Sequence, residues 1–165
     1  MRGRHPRVAV SYGTVMTALL VLLVAARTVR GAEREIYPAP ERAGADVAAA
    51  LALAARDHRR VILDFGGNWC PDCQVLDLYF HDGTNRPILE ASYVLVHVNI
   101  GRIDRNLDLA ARYRVPLHKG VPALAVLDSD GKLLYSQQGG EFEAMRHMQS
   151  SAVTEFLTRW SARGT

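Results

Sequence analysis

The sequence predicts an α/β fold in which a mixed central sheet is flanked by helices on both faces. Three observations predict it. Val61 to Phe65 and Tyr93 to Ile100 are near-continuous apolar runs of strand length, as strands covered on both faces require. Segments with apolar residues at helical spacing precede, separate and follow these runs. Ala123 to Leu127 and Leu133 to Ser136 flank Asp128-Ser129-Asp130-Gly131-Lys132, a turn signal joining an antiparallel hairpin. Helix, strand, helix, strand, helix, hairpin and helix, in that order, make a layered sandwich with parallel and antiparallel pairs in one sheet.

The elements follow from local chemistry. Residues 1–32 form a leader: Arg2, Arg4 and Arg7 precede the mostly apolar stretch Val8 to Ala26, the pattern of a signal peptide. Val24-Ala25-Ala26 offers small residues to a signal peptidase; uncut, the 19 residues from 8 to 26 just suffice to anchor the chain in a membrane. The domain proper is expected over residues 33–165. Glu35-Ile36-Tyr37 reads as a short edge strand in a Pro-bearing linker. Asp46 then caps a helix with Val47, Ala50, Leu51 and Ala54 inward, ending in the basic run Arg56 to Arg60. After the central strand 61–65, Pro71 suits a first helical turn, Val75, Leu76, Leu78, Tyr79 and Phe80 supply a buried face, and Gly83 stops the helix. Asp104-Arg105-Asn106 begins a helix through Tyr113 with Leu107, Ala110 and Ala111 inward. The last helix starts near Ser151 and buries Val153, Phe156, Leu157 and Trp160.

Charge excludes one class of partner. The net charge of +3 resides in the leader, because from Glu33 onward 15 basic residues face 17 acidic ones. A nucleic-acid partner is therefore not expected. A leader and a single cysteine pair instead suit an oxidising compartment outside the cytoplasm.

The pair is Cys70 and Cys73, in Trp69-Cys70-Pro71-Asp72-Cys73 directly after the central strand. Two thiols one helical turn apart allow an outer sulfur to attack a disulfide while the inner one waits to resolve the product. Cys70 begins the helix, where backbone N–H groups and the dipole favour a thiolate, and reads as the nucleophile; Cys73 lies deeper and reads as the resolving thiol. A structural zinc site needs about four ligands, and none of the six histidines forms a spaced pair. A bridge closing so short a loop restricts the unfolded chain little. Metal transfer and an inert bridge are the other readings of the pair.

With these residues in place the chain resembles the thioredoxin superfamily, over roughly residues 44 to 162. The resemblance rests on the Trp-Cys-x-x-Cys turn after a strand, on Asp64 six residues before Cys70, and on Gly120-Val121-Pro122 before a strand. The Ala-rich helix entering the motif is also similar to exported bacterial thioredoxin-like proteins related to the C-terminal domain of the transmembrane reductant carrier. The resemblance implies a thioredoxin fold and a monomeric protein thiol–disulfide oxidoreductase whose only redox centre is its disulfide. It implies exported disulfide- or thiol-bearing proteins as partners, and a membrane-borne reductant donor. It offers Asp64 as the base for the Cys73 proton, although the residue alone also reads as a solvated strand end. It makes Pro122 a cis-proline facing the disulfide, freeing the Val121 backbone to pair with an extended substrate segment. Trp69 reads either as a cover for the disulfide edge or as a core tryptophan.

Departures from the family pattern leave the substrate open. Gly66-Gly67-Asn68 and the Pro-Asp dipeptide are unusual, and the segments 114–119 and 137–150 are lengthened. Asp72 places a negative charge near the nucleophile, disfavouring the thiolate, and so predicts a reducing couple of roughly −200 to −270 mV. His118 and Met145-x-His147-Met148 supply the rival reading, a Cu(I)-binding or metal-relay protein on the same fold. A redox-inert binding domain would normally lack one of the two cysteines.

Overall fold

The computed structural model describes residues 34–161; the leader expected over residues 1–32 lies outside them. A four-stranded sheet in the order β2-β1-β3-β4 is built from β1 (Arg60–Gly66), β2 (Tyr93–Asn99), β3 (Ala123–Leu127) and β4 (Leu133–Ser136). β1 pairs with β2 in parallel and with β3 antiparallel, and β3–β4 is the expected hairpin. The helices are α1 (Ala43–Asp57), α2 (Pro71–Phe80), α3 (Asn85–Ser92), α4 (Leu107–Arg112) and α5 (Ser151–Arg159).

The period-2 alternation of β1 divides the interior in two. Val61, Leu63 and Phe65 join Val47 and Ala50 of α1 and Ala110 of α4 in one core. Ile62 joins Leu76 of α2, Leu89 of α3 and Leu157 of α5 in the other. All of Val61 to Phe65 is fully buried, and each large aliphatic side chain there stabilises the fold by about 1.5–3 kcal/mol. The same alternation turns Asp64 towards the second side, beneath α2, where an apolar residue would be expected.

Several elements differ from the sequence reading. Glu35-Ile36-Tyr37 is not a strand; instead the Asn68 side chain accepts the N–H groups of Ile36 and Tyr37 at 2.8 and 2.9 Å and donates to the Tyr37 carbonyl at 2.9 Å. A side-chain amide thus stands in for a strand edge. α1 begins three residues before Asp46, which caps nothing and pairs with Arg42 at 3.0 Å. α2 ends at Phe80, before Gly83, and turns Leu78 to solvent at 53% exposure while burying Asp77. α3 has no counterpart in the sequence reading. α4 is shorter than expected and buries Leu109 and Ala110, whereas Leu107 and Ala111 face outward.

Candidate active site

The site forms where β1 runs out. β1 ends at Gly66, where there is room only for glycine: a Cβ would lie 2.5 Å from the Tyr37 hydroxyl and 2.8 Å from Cys73 Sγ. The chain then turns, with Cys70 N–H bonded to the Gly67 carbonyl at 3.0 Å. Cys70 takes an extended conformation as the N-cap of α2, and its Sγ accepts the Cys73 N–H at 3.1 Å. The sulfur thus sits among the orphan donors and positive dipole end of the helix, an environment that favours a thiolate once the bond is reduced. Cys70 and Cys73 form a disulfide with their Cα atoms 5.2 Å apart. Cys73 is fully buried beneath Cys70.

The opposite wall is the loop before β3. Val121–Pro122 is a cis peptide, and the Val121 carbonyl oxygen lies 3.6 Å from Cys70 Sγ. Buried Gln137 braces this loop, accepting from Leu124 N–H at 3.2 Å and donating to the Pro122 carbonyl at 3.3 Å. Trp69 packs half-buried against the Tyr37, Cys70 and Cys73 cluster. Its indole N–H donates to the Gly101 carbonyl, and the Arg102 guanidinium stacks 5.2 Å above its ring.

Behind the sulfurs stands Asp64, fully buried and so not the solvated strand-end carboxylate of the alternative reading. Its Oδ2 accepts the Tyr37 hydroxyl at 2.6 Å and meets His97 Nδ1 at 2.8 Å. His97 stands there because the parallel register sets Asp64 opposite it on β2. His97 Nε2 in turn faces Asp77 Oδ1 at 3.6 Å, and Asp77 pairs with Arg34 at 2.7 Å. Burial pulls the His97 pKa down, but the hydrogen bond to Asp64 and the charges of Asp64 and Asp77 outweigh it, so the value is raised above 6.5. Burial first, and then the charge of Asp64, pushes the Tyr37 phenol well above its usual value.

The Asp72 charge that the sequence sets near the nucleophile is buried and paired. It is 8% exposed, and the 137–150 excursion returns to pair with it. The Arg146 N–H donates to Oδ1 at 2.9 Å and Arg146 Nε to Oδ2 at 3.1 Å. The rival ligand set is also dispersed: Met145 is fully buried in the second core, while His118 and His147 are exposed. Among the described residues no group of three or more His, Cys, Asp or Glu stands together as a metal site.

A family model described as thioredoxin-like matches residues 42–129, more than half of the chain. The chain belongs to the thioredoxin-like family. A member that carries both cysteines, bonded at a helix N-terminus, is a thiol–disulfide oxidoreductase. Among solved structures it is similar to a disulphide isomerase from Xylella fastidiosa Temecula1, at 34% identity and a TM-score of 0.74, covering 78% of this chain and 98% of that one. It is also similar to a thioredoxin from Thermus thermophilus, at 26% identity and a TM-score of 0.51, covering 78% of this chain and 87% of the other. A DsbH oxidoreductase at 22% identity, with a TM-score of 0.51 over 67% of this chain and 78% of that one, shares the fold. No curated protein matches the sequence significantly.

Within this thioredoxin-like domain, sequence reasoning missed Tyr37, Asp77, His97, Gln137 and Arg146. One signal was available. His97 interrupts an otherwise apolar strand run, and a single imidazole there calls for a partner on the neighbouring strand.

Proposed function

We propose that the protein reduces or relays disulfides of exported proteins outside the cytoplasm, acting as a monomer kept reduced by a membrane-borne thiol donor. Cys70 attacks a substrate disulfide, Cys73 resolves the mixed disulfide, and Asp64 takes the Cys73 proton. The observation that carries this reading is the stacking of the pair. Cys70 Sγ faces the Val121 carbonyl at the cis-proline loop while Cys73 is sealed beneath it, beside the Tyr37–Asp64 pair. An extended substrate segment pairing with the Val121 backbone would bring its sulfur to Cys70 first. Support for export comes from the leader; among the described residues no helix is long and apolar enough to cross a membrane, so a retained anchor would have to be residues 8–26. Fusion of residues 1–33 to a reporter enzyme that is active only when exported tests this part, and an inactive fusion rejects it.

The disulphide isomerase relative favours a second reading, in which the substrate's own thiol resolves the mixed disulfide and no net oxidation occurs. One pair of variants separates the readings. A reductase loses turnover in Cys73→Ser and accumulates mixed disulfides through Cys70, whereas an isomerase keeps rearranging scrambled substrate without Cys73. Cys70→Ser should trap nothing; trapping by that variant would reverse the assignment of the two sulfurs. The copper reading, with help from His118 or the Met145–Met148 segment, could use Met145 only if it left the core, and Cu(I) titration of the reduced protein against a chelator checks it.

A further inference from the structure

We infer that His97 is the group through which buried Asp64 exchanges its proton with solvent, and that Tyr37 holds the carboxylate in place for that exchange. The inference rests on the reading of Asp64 as the base for Cys73. The proton that Asp64 gains in the resolving step must either wait for the pair to be reduced again or leave for solvent, and Asp64, being fully buried, has no direct route to solvent. Its Oδ1 is buried with no hydrogen-bond partner. Its Oδ2 has two contacts, Tyr37 and His97. Tyr37 leads only inward: it is 2% exposed, and both its hydroxyl and Cys73 Sγ crowd the space above Gly66. A phenol whose pKa is pushed well up stays protonated and serves as a fixed donor.

His97 leads outward. Its side chain is 16% exposed, and it lines a surface cavity of about 400 Å³ together with Arg34, Glu35, Asp77, His81 and Arg86. The groups that face it are Asp64 from β1, Asp77 from α2 and the Tyr37 ring, which meets the imidazole edge-on at 5.1 Å. Beyond these, Arg34 and His81 stand on Asp77 at 2.7 and 3.2 Å and are themselves half in solvent. Imidazole is the side chain suited to gaining and losing a proton in this way, and although burial lowers its pKa, the hydrogen bond to Asp64 with the charges of Asp64 and Asp77 raises it.

The step balances as follows. The Cys73 thiol gives its proton to Asp64, its sulfur forms the bond to Cys70 Sγ, and the bond between Cys70 and the substrate sulfur breaks. The substrate leaves as a thiolate with the electron pair; the cysteine pair has been oxidised by two electrons and the substrate disulfide reduced. Protonated Asp64 then passes its proton from Oδ2 to Nδ1 of His97 in its neutral Nε2–H form, Nε2 releases its proton on the Asp77 side, and the Nδ1–H imidazole so formed regains the Nε2–H form by exchange with solvent before the next turn. Reduction of the pair by the thiol donor runs the same path in reverse.

Chemical rescue tests this. The full chain, reduced and mixed with oxidised glutathione as the disulfide, is followed in stopped flow by tryptophan fluorescence. His97→Ala should slow the resolving step by about ten- to a hundredfold at pH 7. Added imidazole should restore it in a concentration-dependent way, because the vacated space adjoins the surface cavity. His97→Asn keeps a donor towards Asp64 without a group that can carry the proton, guards against loss of the fold, and should remain slow. A wild-type rate in His97→Asn, or a slow His97→Ala that imidazole does not rescue, would show that His97 only orients the carboxylate and would overturn the inference. Asp64→Asn separates the two levels. If Asp64→Asn resolves as fast as wild type, the base reading itself fails; if it is slow while His97→Ala is fast, only the relay fails.

Discussion

At the scale of single residues, two positions set the site. Gly66 is glycine for want of room, since an added Cβ would meet the Tyr37 hydroxyl and Cys73 Sγ well inside contact distance. Gly66→Ala should therefore cost about 1–3 kcal/mol in urea denaturation, the range for overpacking a filled interior, and should displace the tyrosine from Asp64. A neutral substitution would show that the ring yields freely. His97 gives a prediction with a definite sign. Its folded pKa lies above the unfolded value near 6.5, so between the two values the folded state binds more protons than the unfolded one. The stability it contributes is complete below about pH 6.5 and is lost as pH rises through the folded value. The stability gap between wild type and His97→Asn should accordingly be larger at pH 6 than at pH 9. A gap that widened with pH would mean that the pairing with Asp64 and Asp77 does not favour the charged imidazole.

At the scale of elements, what the sequence made legible were the runs with one strong period. β1, β2 and the β3–β4 hairpin are apolar and continuous, and α5 buries its expected Val153, Phe156 and Leu157. α3 was not legible because it is short, carries Pro87 within its first turn, and buries only Asn85, Leu89 and Ser92, two of them polar. Its start is fixed instead by Asp82, which accepts the N–H groups of Thr84 and Asn85 at 2.9 and 2.8 Å and the hydroxyl of Ser150. One carboxylate thus ties the beginning of α3 to the beginning of α5. Asp82→Ala should destabilise the domain by about 1 kcal/mol, as loss of a capping residue does, read as an earlier denaturation midpoint. Its pKa is lowered, chiefly by the Ser150 hydrogen bond and then by the Asn85 N–H, so its contribution is present above the unfolded value near 3.8 and disappears as pH falls through the folded one. The difference between wild type and variant should narrow as pH falls into acid; a difference that did not change with pH would assign the loss to packing.

At the scale of the whole molecule, the site is assembled from segments far apart in the chain, and this decided which of its parts could be read in advance. Cys70, Cys73, Asp64 and Pro122 carry their signal in short local patterns; Tyr37, His97, Gln137 and Arg146 join the site only through the packing of the sheet and the return of the last excursion. Arg146 has the largest consequence, because the expected reducing potential rested on an unpaired Asp72. With the guanidinium on it, part of that charge is cancelled at Cys70, which should move the couple towards the less reducing side of the expected range. The Arg146 side chain is 54% exposed, so solvent screens the pair and the effect is modest. Arg146→Gln should leave Asp72 uncompensated, disfavour the Cys70 thiolate, destabilise the reduced form and lower the potential by roughly 10–30 mV, where 30 mV corresponds to about 1.4 kcal/mol for a two-electron couple. Asp72→Asn leaves an unpaired cation and should shift the potential upward by a similar amount. The double variant should return close to wild type, since neither charge is then left alone. Equilibration of each protein against glutathione buffers measures all four potentials. Shifts of the same sign in both single variants would show that the 137–150 excursion acts on the disulfide through its packing against α2, not through charge.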